Sequence, residues 1–156
     1  MAFYQYKQEQ KVKASMEEVW DFISSPRNLK EITPDYMGFD ITSTDIPEKM
    51  YPGMIITYEV KPLLGIKTPW MTEITQVKEL EFFIDEQRVG PYKLWHHQHF
   101  IEPIKGGVLM RDIVTYSPPF GFLGALANKL IIRKKLNEIF DYRTLAVNKK
   151  FGQYEK

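Results

Sequence analysis

The sequence has no cysteine, which excludes disulfide bonds and thiolate metal sites. It also has no excess of either charge, because 21 basic and 20 acidic residues leave a formal net charge of +1. That charge is too small for a general attraction to nucleic acid. No apolar run approaches the roughly 20 residues of a transmembrane helix, and residues 1–11 do not resemble a signal peptide. We therefore predict a soluble, cytoplasmic protein that does not bind nucleic acid.

Aromatic residues, by contrast, are plentiful: the chain has 10 Phe, 9 Tyr and 3 Trp. Large rings fill protein cores, and they also line pockets for small molecules. A length of 156 residues fits one domain with a sizeable core, so we expect residues 1–156 to form a single domain.

The first part of the chain predicts one strand followed by two short helices. Residues 3–13 alternate in polarity and contain two tyrosines and a valine, as a half-buried strand does. Ser15 followed by Glu18 is typical of a capping box, and an apolar helical set comes directly after it. Pro26 favours the start of a second short helix, which Thr33 and Pro34 end.

The middle of the chain predicts six more strands. Turn residues separate short runs rich in aromatic and β-branched residues, and these spacings favour an antiparallel meander. A hairpin is expected at Lys105–Gly107. The predicted strands are residues 39–41, 54–60, 67–77, 80–89, 92–101 and 108–116.

Residues 120–150 carry the pattern of one long helix. Its predicted apolar face contains Leu126, Leu130, Leu136, Ile139 and Phe140. The expected fold class is α+β, with a seven-stranded, curved antiparallel sheet around this C-terminal helix. A strongly curved sheet cannot meet a straight helix along its whole width, so we expect a cavity between them.

Several linked motifs resemble one known superfamily along nearly the whole chain. They are residues 24–39, Phe83-x-Asp85-x-Gln87-x-x-Gly90-Pro91, Trp95-x-His97-x-His99, Asp112-x-Val114-x-Tyr116-x-x-Pro119, the helix opening at Phe120, Gly121 and Gly124, and Ile139-Phe140-x-x-Arg143. The chain thereby resembles the START-like or SRPBCC superfamily, specifically an uncharacterised bacterial ligand-binding branch. The resemblance implies a helix-grip fold whose cavity binds lipids, sterols, polyketides, quinones or plant hormones. Some members of the superfamily are cyclases or hydroxylase domains, so the fold alone does not identify a reaction.

Strand alternation places polar and aromatic residues together on the faces that we expect to line the cavity. We predict a non-catalytic binding protein for an apolar small molecule such as a lipid, a polyketide or an isoprenoid. Its polar end would be oriented by histidine, aspartate, glutamine and tyrosine side chains. The predicted ligand-binding residues are Trp70, Phe83, Asp85, Gln87, Trp95, His97, His99, Asp112, Val114, Tyr116, Leu126 and Leu130.

Other interpretations of the same residues stay open. His97 could form a purely structural pair with Asp85 or Asp112, or the strand could present His96, Gln98 and Phe100 inward instead. An acid–base enzyme that needs no cofactor could use His97 as the base with one of these carboxylates, and Tyr116 as a proton donor.

A metal site is the third interpretation of the same strand. His97 and His99 with Asp85 or Asp112 could ligate a metal. However, the chain has only three histidines, and we predict neither a metal nor a cofactor.

Two surface features complete the sequence-based predictions. Lys129, Arg133, Lys134 and Lys135 give the long helix a basic side, which is either a solvated surface or a site of transient contact with an acidic partner or a membrane. No stable membrane insertion is expected. The apolar segment at residues 61–66 is either a lip at the cavity entrance or a cover over the core.

Overall fold

The computed structural model describes residues 2–61 and 65–154. Strand β1 (Tyr4–Val12) precedes helix α1 (Met16–Ile23) and two 3₁₀ turns, Pro26–Lys30 and Asp35–Met37. Of the predicted lip, residues 62–64 lie outside the described residues. The remaining strands are β2 (Asp40–Ile41), β3 (Ile55–Val60), β4 (Thr68–Lys78), β5 (Phe82–Val89), β6 (Leu94–Ile104) and β7 (Gly107–Ser117).

After β7 the chain forms one continuous helix, which we call the C-terminal helix. It consists of α2 (Gly121–Ala127), a π-helical segment (Asn128–Ile132) and α3 (Arg133–Phe151). The residues at both junctions keep right-handed helical backbone angles, so the helix does not break. None of the helices formed by the described residues combines the length and apolar character needed to cross a bilayer.

The seven strands form one antiparallel sheet in the order β1-β7-β6-β5-β4-β3-β2, which confirms the predicted α+β architecture. Consecutive strands from β2 to β7 are neighbours, and β1 forms one edge of the sheet by pairing with β7 along its whole length. The β6–β7 hairpin turns at Lys105 and Gly106, and Gly106 has the positive φ of 79° that a glycine adopts without strain. Two register shifts in the β4–β5 pair bend the sheet at its centre.

Local signals explain the start of α1 and of the turn after it. The Ser15 hydroxyl accepts a hydrogen bond from the Glu18 backbone N–H, and the Glu18 carboxylate accepts one from the Ser15 N–H. This confirms the predicted capping box. The second predicted helix is shorter than expected: it starts at Pro26 but is a 3₁₀ turn that ends at Lys30.

The C-terminal helix packs on the sheet through side chains spaced mostly four residues apart. These buried residues are Asn128, Ile132, Leu136, Phe140, Arg143 and Val147. In a regular helix of 3.6 residues per turn, side chains spaced four residues apart move gradually around the helix axis. The π-helical segment has more residues per turn, so it compensates for part of this rotation. Asn128 is held inward because its side-chain oxygen accepts a 2.6 Å hydrogen bond from the Tyr116 hydroxyl.

The predicted orientation of the first half of this helix is therefore wrong. With Asn128 and Ile132 facing the sheet, Leu126 and Leu130 turn outward and are 52% and 63% exposed. Leu136 and Phe140, in the second half, are buried as predicted.

Candidate functional site

A cavity lies between the sheet and the C-terminal helix. The centre of a water-sized sphere can occupy about 170 Å³ of it. Because one water needs roughly 10–15 Å³ of such volume, the cavity has room for on the order of ten waters. Strands β3 to β6, the turns after α1 and the first half of α3 supply its walls. Most lining side chains are apolar or aromatic, among them Ile32, Met37, Met50, Ile56, Ile74, Phe83, Leu136, Ile139 and Phe140.

Five ionisable side chains form what we call the polar cluster: Asp85 on β5, His97 and His99 on β6, Asp112 on β7 and Arg143 on α3. The sheet register brings the first four together, because Asp85 lies opposite His97 and His99 lies opposite Asp112. His97 and His99 point to the same side of β6 and are 8% and 5% exposed. This excludes the opposite strand orientation, since His96 is only half-buried and contacts Glu86 on the other face.

The polar cluster is connected by short contacts. His97 Nε2 donates to Asp112 Oδ1 at 3.0 Å, and His99 Nε2 donates to Asp85 Oδ2 at 2.7 Å. His99 Nδ1 lies 2.9 Å from Asp112 Oδ1, but the angles of that contact do not meet hydrogen-bond geometry, so we describe it as an ion pair. Arg143 Nη1 approaches the same Asp112 oxygen at 3.0 Å. Asp112 is thus the centre of the cluster.

The electrostatics assign different charge states to the two histidines. Burial and the neighbouring charge of His99 lower the pKa of His97. Burial also opposes a charge on His99, but its contacts with Asp112 and Asp85 outweigh that effect and raise the pKa of His99. At neutral pH the proton therefore favours His99, and His97 is the neutral imidazole.

Both carboxylates remain ionised. Burial disfavours the charge on Asp112, but the Arg143 guanidinium and the hydrogen bonds with the histidines hold the pKa of Asp112 well below its usual value. Burial acts on Asp85 in the same way and is outweighed mainly by the hydrogen bond from His99, so the pKa of Asp85 is lowered too. With His99 protonated, the two carboxylates, the guanidinium and the imidazolium sum to zero charge.

A second group, the aromatic cluster, consists of Phe39, Tyr58, Trp70, Tyr92 and Trp95. The Tyr58 and Trp70 rings stack with centroids 6.1 Å apart, and Trp95 meets Trp70 edge-on at 5.4 Å. The cluster also has a hydrogen-bonded centre: Thr72 Oγ1 lies 2.7 Å from the Tyr58 hydroxyl and accepts from Trp70 Nε1 at 3.1 Å. These rings form a largely apolar wall, in which the Tyr58 hydroxyl and Trp70 Nε1 are paired at Thr72.

Half of the side chains predicted to bind a ligand line the cavity. They are Trp70, Phe83, Asp85, Trp95, His97 and His99. Phe83 also stacks on His99, with the two ring centroids 4.1 Å apart, so it links the apolar lining to the polar cluster. Whether these six residues contact a ligand remains a prediction.

The other six do not line the cavity, for four different reasons. Asp112 lies behind the histidines, and Val114 and Tyr116 are buried beneath the C-terminal helix. Gln87 closes the β5–β6 connection, because its side chain donates to the Tyr92 carbonyl and accepts from the Tyr92 N–H. The last two, Leu126 and Leu130, are on the outer side of the helix.

Comparison with solved structures identifies the fold. The chain matches a crystal structure of TTHA0849 from Thermus thermophilus with a TM-score of 0.68 and 15% identity, covering 95% of this chain and 97% of that one. It matches the major latex-like protein 151 of Panax ginseng with a TM-score of 0.67 and 9% identity, over 96% and 97% of the two chains. For Ara h 8.0201 the TM-score is 0.64 and the identity 11%, over 96% and 98%. The protein has the helix-grip fold.

Sequence comparison adds no closer relationship. No family model matches the chain, and no curated protein matches it. At 9–15% identity the three structures share the fold with this protein, and they do not transfer a function. The function has to be argued from the cavity.

Within this helix-grip cavity, Arg143 is the main candidate site residue that the sequence-based prediction missed. It lines the cavity and supplies the fixed positive charge of the polar cluster. A signal was present, since Arg143 follows Leu136 and Phe140 at helical spacing on the buried face, where an unpaired cation would be costly. The lining residues Leu29, Ile32, Met37 and Phe39 were also missed, because they lie in turns and loops without periodicity.

Asp85, His97 and His99 have donor atoms within 4.8 Å of one another, and these residue types can hold a divalent metal. In the observed arrangement their nitrogens instead contact carboxylate oxygens. Arg143 adds a positive charge next to Asp112, which opposes a second cation at this place. The donor set therefore fits hydrogen bonding and ion pairing better than it fits a metal.

Proposed function

We propose that this protein binds an apolar small molecule with a polar end in the cavity of its helix-grip fold. The observation that carries the proposal is the composition of the cavity wall, which joins aromatic and aliphatic side chains to one buried polar cluster. Such a wall favours a lipid-like, polyketide-like or isoprenoid-like ligand whose apolar body packs against Trp70 and Phe83. The polar end would lie at His97 and His99.

The charge state of the polar cluster narrows the chemistry of that polar end. With His99 protonated the cluster carries no net charge, so it offers no net attraction to a carboxylate or an ammonium group. Neutral His97 uses its Nε2 hydrogen toward Asp112, so its Nδ1, which lies 3.6 Å from Asp85 Oδ2, carries no hydrogen and can only accept a hydrogen bond. An uncharged donor such as a hydroxyl group would satisfy that acceptor, so we expect an alcohol or a phenol at the polar end.

Two matched probes test this expectation on the full chain. Dodecanol and dodecanoate share one apolar tail and differ in the polar end, and their binding can be followed by quenching of tryptophan fluorescence. We expect dodecanol to bind roughly tenfold more tightly, because the carboxylate would bury a charge without a free cation. Native mass spectrometry and solvent extraction of the purified protein would then identify a co-purifying ligand.

A pair of variants shows whether binding uses the polar cluster. His97→Phe keeps an aromatic ring but removes the acceptor, and we expect it to weaken dodecanol binding roughly five- to tenfold. His96→Phe is the matched control on the other face of the same strand. Equal loss in both variants, or saturable binding of neither probe to the wild type, would count against the proposal.

An acid–base enzyme is the second candidate, and one observation favours it. His97 is at the cavity wall and its Nε2 lies 3.0 Å from Asp112, so a carboxylate orients a neutral imidazole toward the enclosed space. Such an imidazole can remove a proton next to a carbonyl group. Tyr116 is not the proton donor of this reaction, because its hydroxyl donates to Asn128 away from the cavity.

Hydrogen–deuterium exchange tests this second candidate without any cofactor. A long-chain methyl ketone such as 2-undecanone would be incubated with the protein in D₂O, and exchange beside the carbonyl would be followed by NMR. An enzyme would exchange these hydrogens faster than buffer, and His97→Gln would abolish the gain while His96→Gln would retain it. Exchange at the buffer rate would leave binding as the better proposal.

A further inference from the structure

The first half of the C-terminal helix exposes a group of large apolar side chains. Phe120 and Phe122 are 78% and 81% exposed, and Leu123, Leu126 and Leu130 are each more than half exposed. Phe122, Leu126 and Leu130 are spaced four residues apart, so they lie along one side of the helix. Single exposed apolar residues are ordinary, but a contiguous group on one helix marks an interaction surface.

Basic side chains border this apolar surface. Lys129, Arg133 and Lys134 are exposed, and none of them forms an ion pair with another described residue. The sequence contains no acidic residue between Asp112 and Glu138. The surface thus combines exposed phenylalanine and leucine with uncompensated positive charge, which is the combination that helices lying on anionic membranes present.

The helix that carries this apolar surface also supplies part of the cavity wall. Ile132, Lys135 and Leu136, on the next turn of the same helix, line the cavity. Across the cavity from α3, Tyr36 reaches the helix through a 3.4 Å hydrogen bond to Glu138, and Lys135 lies 4.8 Å from the centre of the Tyr36 ring. A lipid surface that contacts the first half of the helix would therefore lie beside the cavity wall formed by this turn.

We propose that the surface formed by Phe120, Phe122, Leu123, Leu126 and Leu130, with Lys129, Arg133 and Lys134, docks on an anionic phospholipid bilayer. The helix would lie in the plane of the headgroups, with its apolar side chains among the acyl chains. Charge decides for a bilayer over a second copy of this chain, because two copies would bring like basic residues together around the same patch.

Co-sedimentation with vesicles tests the proposal on the full chain. One set of vesicles contains phosphatidylcholine alone, and the other has about one third phosphatidylserine. We expect binding to the anionic vesicles that falls as salt is raised, and at least about tenfold weaker binding to the neutral ones. The assay needs no ligand in the cavity, so its failure would leave the proposed function untouched.

Three variants separate the contributions. The double variant Phe122→Ser/Leu126→Ser removes apolar contact with the bilayer. The double variant Lys129→Glu/Arg133→Glu reverses the charge beside it. We expect each double variant to lower the vesicle partition coefficient roughly tenfold or more. Leu145→Ser is the matched control, since Leu145 is 68% exposed on the same helix but far from the patch. Circular dichroism would verify that all variants remain folded.

Several results would overturn the proposal. One is the absence of anionic-vesicle binding by the wild type, and another is an equal effect of Leu145→Ser and the patch variants. A third is a dimer in sedimentation velocity that Phe122→Ser/Leu126→Ser converts to a monomer, with vesicle binding unchanged. That outcome would assign the surface to a second copy of the chain.

Discussion

At one part of the cavity five ionisable side chains form a connected cluster, whereas at another part five aromatic rings pack together and two of them share hydrogen bonds with Thr72. The polar cluster spans β5, β6, β7 and the C-terminal helix, and removing any one of its charged members leaves the opposite charge without its partner. The aromatic cluster gains its stability from many small ring contacts, which are lost one at a time. Substitutions should therefore have large, coupled effects in the first cluster and modest, independent effects in the second.

The largest effect is expected from Arg143→Met, which keeps the length of the side chain and removes its charge. Asp112 would then be a buried carboxylate without its guanidinium, and the free energy of unfolding should fall by about 3–5 kcal/mol. Urea unfolding at neutral pH measures the loss. Arg111→Met is the matched control, because Arg111 pairs with Glu9 and Glu102 on the surface and should contribute no more than about 1 kcal/mol. Equal losses of unfolding free energy in the two variants would refute the distinction between the buried and the surface ion pair.

The coupling within the polar cluster is tested by the double variant Asp112→Leu/Arg143→Met. It removes one negative and one positive charge together and leaves Asp85 paired with His99, so the remaining cluster is still neutral. We expect the double variant to be more stable than Arg143→Met alone, with a coupling energy of roughly 1–3 kcal/mol. Simple additivity of the two single losses would show that the cluster does not act as a unit.

The two histidines should respond to pH in opposite directions. The raised pKa of His99 contributes stability that is present below its unfolded value of about 6.5 and is lost as pH rises through the folded pKa. The lowered pKa of His97 acts the other way, because its benefit is present above about 6.5 and is lost as pH falls through its folded pKa.

Unfolding of the wild type, His97→Gln and His99→Gln across this range measures both effects. The stability difference between wild type and His99→Gln should shrink as pH rises above about 6.5, whereas that for His97→Gln should shrink as pH falls below it. Parallel pH dependences in the two variants would contradict the assigned charge states. His96→Gln, on the solvent side of the strand, serves as the control.

Local patterns in the sequence predicted most of this fold. Alternation with a period of two predicted the strands and put His97 and His99 on the same face of one strand, but it left open whether that face points inward. The capping box of Ser15 and the turn at Gly106 fixed the ends of their elements through contacts only a few residues apart. Such signals depend on neighbours in the chain, so they can be recognised without the tertiary structure.

The errors concern features that depend on distant partners. The orientation of the C-terminal helix is set by the hydrogen bond between Asn128 and Tyr116 and by the π-helical segment, and helical periodicity alone favoured Leu126 and Leu130 instead. Gln87 belongs to the predicted strand face, but its amide is used to close a loop. Much of the cavity wall comes from turns after α1, whose positions no periodic pattern can predict.

The smallest effect is expected in the aromatic cluster, from Tyr58→Phe. This change keeps the stacked ring and removes only the hydroxyl that lies 2.7 Å from Thr72 Oγ1, so the free energy of unfolding should fall by about 1 kcal/mol. Tyr51→Phe is the control, because Tyr51 is exposed. Burial raises the pKa of Tyr58, so neither partner titrates near neutrality and the loss should be constant from about pH 5 to 9. A loss of stability that varied with pH like those of the histidine variants would show that the two clusters are electrostatically coupled. The two clusters would then not contribute independently to stability.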